Sequence, residues 1–314
     1  MFYNCSVAEA AFDPRRIEVE YLEQPCKTAL NRVKGMPFNW SLNPYTGCEH
    51  RCAFCYVRFF EKRAERPADD RYGRSIRVKT NVAEVLRGEL GRRSWKRESV
   101  AVGAATDPYQ PAEGRYRLTR GCLEAFADHA TPVGLITRGP MIVRDVDVLA
   151  ALARQAELTV NFSIPTLDDE IWRRTEPGTA HPRQRLRAIQ RLAAAGIRVG
   201  VGMAPILPGL SDRPELLEAV VRAAREAGAV SIWANLLYLR EGTREHFLSV
   251  LGRHWPELLP SYSDEYAGRA YLPAEKTEPV QRMVRDLARQ LEIGAGPRRH
   301  LAPPPPPEQL SLIA

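Results

Sequence analysis

The sequence has no run of 18 apolar residues, so no membrane-spanning helix is expected. Its first residues, Met-Phe-Tyr-Asn-Cys-Ser-Val-Ala-Glu-Ala, lack the basic start and apolar run of a secretory leader. No internal repeat stands out. Cysteine is scarce, at six in 314 residues, and Cys5, Cys26 and Cys122 are scattered without a pairing pattern. A disulfide framework is excluded. These absences together point to a reduced, cytoplasmic compartment and to no membrane partner.

What is present is charge of one sign. The net charge is +7 and the pI about 9.2, which suits an anionic partner. Thirteen basic residues against seven acids lie between Arg58 and Glu98, so this one segment carries nearly all of the excess. Arg92, Arg93, Lys96 and Arg97 are its candidates for contact with nucleic-acid phosphates. The alternative is a plain solvated surface.

Residues 1–39 read as an N-terminal extension, broken by Pro14, Pro25, Gly35 and Pro37. From Trp40 to Arg240 short apolar runs alternate with helical patterns. Strands are expected at 40–43, 99–104, 133–137, 158–164, 198–204 and 230–236. Helices are expected at 82–90, 118–129, 146–154, 182–195 and 213–227. Leu186, Ile189, Leu192 and Ala193 follow a helix-face spacing, and Gly196 and Gly228 are stop signals. Six such units give an α/β fold with a parallel sheet. Residues 241–294 read as a helical C-terminal extension, with helices at 243–251 and 276–291 and an irregular stretch between. Residues 295–307 are a Pro-rich linker containing five consecutive prolines.

Within Asn43-Pro-Tyr-Thr-Gly-Cys-Glu-His-Arg-Cys-Ala-Phe-Cys55, the cysteines are spaced C-x3-C-x2-C. Three thiolates this close can ligate three irons of one cluster and leave a fourth iron open for chemistry. The alternative is structural zinc, with His50 joining Cys48, Cys52 and Cys55. Zinc ligands more often come as two separated arms. The cysteine loop follows the first expected strand, at the end where parallel α/β folds place cofactors.

The run of three cysteines with Phe54 before the third resembles the signature of the radical SAM superfamily. Thr106-Asp-Pro-Tyr-Gln-Pro, Leu118-Thr-Arg and Arg185-Leu-x-Ala-Ile-x-x-Leu-x-x-Ala-Gly196 add a resemblance to its spore photoproduct lyase-like branch, often labelled DNA repair photolyase. It spans roughly residues 27–290. The resemblance implies a partial (β/α)6 TIM-like barrel over 40–240. It also implies a [4Fe–4S] cluster on Cys48, Cys52 and Cys55, and S-adenosylmethionine chelating the fourth iron. Reductive cleavage, fed by an external electron donor, would give a 5'-deoxyadenosyl radical. By position, Phe54 would meet the adenine through its backbone. Thr106 and Asp107 would lie near the cofactor, and Arg138 and Ser163 would contact the methionine carboxylate. Asp107 could equally be a turn residue, and Ser163 an ordinary strand hydroxyl. Where true spore photoproduct lyases carry a hydrogen-returning cysteine, this chain aligns Ala105. Tyr109 and Cys122 are the remaining candidates for radical relay, each also readable as a core residue. Trp233 and Tyr238 are either cleft-lining or core.

Residues 308–314 contain Gln309, Leu310, Leu312 and Ile313. They resemble the peptides with which bacterial replication and repair proteins dock on the DNA sliding clamp, an apolar anchor on a flexible segment. The expected function is radical SAM chemistry on DNA, not by the cysteine-donor route. A peptide or small-metabolite substrate is one alternative, and a non-enzymatic, metal-stabilised clamp- or nucleic-acid-binding protein is another.

Overall fold

In the computed structural model, which describes residues 18–294, ten strands form two sheets. The strands are β1 Glu20–Gln24, β2 Leu30–Arg32, β3 Trp40–Leu42, β4 Tyr45–Thr46, β5 Ser75–Lys79, β6 Val100–Val102, β7 Val133–Thr137, β8 Leu158–Ser163, β9 Val199–Ile206 and β10 Ser231–Leu236. The main sheet runs β10-β9-β8-β7-β6-β3-β2. Its six strands from β3 to β10 are parallel, and only β2 is antiparallel. The sheet stays open, which makes the fold a partial TIM-like barrel.

Eleven α-helices accompany the strands among the described residues. They are α1 Val57–Arg63, α2 Val82–Leu90, α3 Ala112–Tyr116, α4 Leu118–Asp128, α5 Val146–Gln155, α6 Asp169–Thr175, α7 Pro182–Ala194, α8 Pro214–Glu226, α9 Thr243–His254, α10 Leu259–Glu265 and α11 Ala274–Gln290. Helical periodicity explains the outer layer. Leu217, Val220, Val221 and Ala224 put one stripe of α8 into the core. Residues 199–203 of β9 are buried without alternation, as befits a strand covered on both faces. Each fully buried aliphatic side chain contributes about 1.5–3 kcal/mol. Gly196, at φ +77°, ends α7 by donating to Ala193 O while Ile197 donates to Leu192 O.

The six parallel strands stand where the alternating pattern puts them. Within the 1–39 extension, β1 pairs with β5 and β2 edges the main sheet. The second sheet, β1-β5-β4, is not among the expected strands: β1 and β4 are short and carry no clear alternation, and only β5 alternates, burying Ile76 and Val78. The stretch after His254 is not irregular but holds a 3-10 turn and α10. Helix α11 packs against β10 and α8 and so completes the outer layer. Residues 295–314 lie outside the described residues, with the Pro-rich linker and the clamp-like segment.

Because the strands are parallel, their C-terminal ends share one face. The cysteine loop after β3 opens there, with the loops after β6, β7, β8, β9 and β10.

Candidate radical SAM site

The cysteine loop is held from three sides. From the β6 loop, Gln110 clamps it on both sides of Cys48: Nε2 donates to Gly47 O at 3.2 Å, and Oε1 accepts from Glu49 N at 3.0 Å. Glu49 then accepts from Ala112 N at 2.8 Å. Asn43, ahead of the loop, accepts from Ala105 N and Thr106 N. From the end of α6 and the segment after it, Thr175 O accepts from Ala53 N at 2.8 Å and Gly178 donates to His50 O at 3.1 Å. A Cβ on Gly178 would lie 2.3 Å from Glu49 O, so only glycine admits this approach. From α9, Thr243 Oγ1 donates to Cys55 O at 3.1 Å.

Cys48 and Cys52 are buried, Cys55 is half-buried, and all three are free of disulfides. Burial pushes the Cys48 thiol up, and the Cys52 thiol up to about 12. Buried thiols of this kind ionise against a bound cation, which is the condition an iron–sulfur cluster meets. Behind them, Arg58 is 1% exposed. It donates to Ala68 O, Asp69 O, Arg51 O and Cys52 O, and stacks 4.6 Å over Tyr72. The Tyr72 hydroxyl lies 3.6 Å from Cys55 Sγ. A fixed positive charge and a hydrogen-bond partner for sulfur thus back the thiols, which suits an anionic cluster.

His50 does not join them. Its Nδ1 lies 3.3 Å from Asp107 Oδ2, off-line for a hydrogen bond, and is buried without a hydrogen-bond partner. Among the described residues, no group of three or more His, Cys, Asp or Glu is placed to hold a single metal ion. The donor set fits a cluster spread over three thiolates better than a Cys3His zinc.

Asp107 is the junction of the site. It accepts from Tyr109 N at 2.8 Å, Thr137 Oγ1 at 2.6 Å and Arg138 N at 2.6 Å. Burial alone would push its carboxyl up, but His50 and the hydrogen bonds from Thr137 and Arg138 hold it at about 2. Arg138, at the end of β7, donates to Glu176 Oε1 at 2.8 Å and Ala204 O at 3.1 Å. Its guanidinium stands 5.6 Å over the Phe54 ring, and neither bond uses Nη1. Ser163, buried at the end of β8, accepts through its carbonyl from Arg185 Nη1 at 2.8 Å.

The structure therefore brings Cys48, Cys52, Cys55, Phe54, Asp107, Arg138 and Ser163 to one end of the barrel. Thr106 sits there too, but its hydroxyl donates to Tyr45 O at 3.2 Å and braces the loop. Tyr109 and Cys122 do not reach the site. Tyr109 is 2% exposed and donates to Asp145, while Cys122 is 1% exposed in α4 and burial pushes its thiol up. Both belong to the main core. Arg92, Arg93, Lys96 and Arg97 are exposed in the segment between α2 and β6, at the opposite end of the barrel. Glu176, Gln110, Arg58 and Tyr72 carried no assigned role in the sequence. Arg185 offered a signal: it occupies the apolar stripe of α7 with Ala188, Ile189 and Leu192.

A family model described as the radical SAM superfamily matches residues 42–220. The chain belongs to the radical SAM superfamily. An uncharacterized protein of Mycobacterium tuberculosis is 38% identical over 298 residues, which cover 94% of this chain and 86% of that one. A radical SAM Nα-GlyT isomerase of Pseudomonas phage M6 is 27% identical over 184 residues, 58% of this chain and 36% of its own. In fold, the chain resembles a spore photoproduct lyase variant with bound AdoMet and dinucleoside spore photoproduct. The TM-score is 0.66 at 16% identity, over 87% of this chain and 80% of that one. This radical SAM protein is an enzyme, and its cofactors are a [4Fe–4S] cluster and S-adenosylmethionine. Among the described residues, no helix is long and apolar enough to cross a membrane.

Proposed function

We propose that this radical SAM enzyme acts on DNA, in repair or modification. The observation that carries the reading is the fold. The similar structure that holds AdoMet also holds a dinucleoside photoproduct, and the likeness spans 87% of this chain. The charge of +7 agrees with a polyanionic substrate.

Cys48, Cys52 and Cys55 would hold the cluster, which with S-adenosylmethionine supplies a 5'-deoxyadenosyl radical. The chain's own residues position and enclose. Arg138, oriented by Glu176 and stacked on Phe54, suits a carboxylate at the end of β7. Asp107 fixes the turn that carries Arg138. Ala105 packs against the cluster of Cys48, Val57 and Tyr72 and brings no thiol there. With Cys122 enclosed, hydrogen return by a cysteine of the barrel has no donor at this site among the described residues. This supports a reaction that runs by a route other than cysteine donation. An external donor supplies the electron, and residues 308–314 suit docking on a sliding clamp.

The test is reduction of the full chain with S-adenosylmethionine and deuterated substrates. Deuterium entering 5'-deoxyadenosine from DNA supports the reading. Transfer from a peptide or small metabolite instead of DNA overturns it.

A further inference from the structure

Three of the four exposed aromatic side chains among the described residues lie in one place. Of seven large hydrophobic side chains exposed among the described residues, Tyr56, Phe60 and Tyr271 belong to a single continuous array. Tyr56 meets Phe60 edge-on with centroids 6.4 Å apart, and Phe60 meets Phe59 at 5.3 Å. The Arg240 guanidinium spans the next gap, 4.7 Å over Phe59 and 5.6 Å from Tyr238. Tyr238 and Tyr271 close the series at 4.4 Å. Arg63 adds a second cation 5.6 Å over Phe59.

The array stands beside the candidate site. Tyr56 follows Cys55 directly, and Tyr238 and Arg240 lie in the loop after β10, on the face where the cysteine loop opens. Gly242 of that loop approaches Arg58 and Lys62 of α1. Tyr56 keeps 43% of its surface exposed beside the cysteine loop. Neither Arg63 nor Arg240 pairs with a carboxylate among the described residues. The nearby Glu241 is taken by Lys62 at 2.7 Å.

Aromatic rings interleaved with unpaired guanidiniums match nucleic acid whose bases are unstacked. Rings receive base faces and arginines receive phosphates. A duplex keeps its bases inside and would use the cations alone. We infer that Tyr56, Phe59, Phe60, Tyr238 and Tyr271, with Arg63 and Arg240, form a stacking platform for single-stranded or locally unpaired nucleic acid leading to the cysteine loop. This deepens the proposal above and rests on its nucleic-acid substrate.

The test is fluorescence anisotropy of a labelled oligothymidylate and of a duplex of equal length, titrated with the anaerobically prepared full chain. The single strand binds more tightly. Phe60→Ala with Tyr271→Ala, both at exposed positions, weakens single-strand binding by about tenfold or more without altering the salt slope. Arg63→Gln with Arg240→Gln lowers the log–log salt slope by about 1.4. Arg92, Arg93, Lys96 and Arg97 changed together to Gln leave the slope unchanged.

Binding that persists unchanged in both platform variants overturns the platform while leaving the DNA substrate standing. So does a slope lost only in the four-residue variant. Absence of any nucleic-acid binding by the wild-type chain overturns both. A wild-type dimer, seen by sedimentation, that the ring variant makes monomeric with unaltered oligonucleotide affinity would assign the surface to a second copy and also overturn the platform.

Discussion

Arg138 at the end of β7 and Glu176 after α6 meet at 2.8 Å, with the Glu176 side chain 3% exposed. The second oxygen of Glu176 takes Arg185 Nη2 at 2.6 Å. One carboxylate thus bridges two guanidiniums and ties the loop after β7, the segment after α6 and helix α7 together behind the cysteines. Glu176→Ala leaves both guanidiniums without their acid, and Arg185 is fully buried. The expected loss is about 3–5 kcal/mol in denaturant unfolding. A loss within the range of an ordinary surface substitution would show that the carboxylate holds nothing together.

The same carboxylate gives a pH dependence. Burial would raise the Glu176 carboxyl, but Arg185 and Arg138 outweigh it and hold it below the ordinary range. Its stabilisation is complete above the unfolded value of about 4.3 and is lost as pH falls through the lower folded value. On the cluster-free chain, the stability gap between wild type and Glu176→Gln is constant above about pH 5 and narrows below it. A gap that widens with acid contradicts the assignment.

Gly178→Ala tests how the cysteine loop is cradled. The added Cβ meets Glu49 O at 2.3 Å and His50 O at 2.9 Å, both backbone atoms that cannot swing aside. The loop must shift, so the variant should fold by circular dichroism yet retain little iron after reconstitution. Wild-type iron content would mean that the segment after α6 does not set the loop.

Residues 303–314 give a prediction independent of the barrel. A peptide of that sequence should bind a bacterial sliding clamp with micromolar affinity, and Leu310→Ala with Leu312→Ala should abolish capture of the full chain. Isothermal titration that detects no heat with peptide or protein would remove the clamp from the account.

Much of the frame was legible in the sequence because its signals are local. The six parallel strands announce themselves by short apolar runs such as Val133–Thr137, and α8 by its stripe and its Gly228 stop. The cysteines are legible through spacing within eight residues. What was not legible depends on contacts distant in sequence. Gln110 clamps a loop 61 residues away, and Glu176 reaches Arg138 across 38. Gln110 stands inside the Thr106-Asp-Pro-Tyr-Gln-Pro run, but the run does not say what its side chain clamps, and nothing near Glu176 marks it as more than a polar side chain. Tyr109 is the converse case: it lies inside a telling motif, and of its two readings the structure shows the core one, its hydroxyl turned to Asp145.

The central claim is that Cys48, Cys52 and Cys55 carry an open cluster for S-adenosylmethionine. The most direct measurement is 5'-deoxyadenosine release by the anaerobically reconstituted, reduced full chain, beside Cys52→Ala and Cys26→Ser. The wild type and Cys26→Ser should contain one [4Fe–4S] cluster per chain and release 5'-deoxyadenosine and methionine, while Cys52→Ala should do neither. A single tightly held zinc with no cleavage of S-adenosylmethionine, or a full cluster in Cys52→Ala, would contradict it.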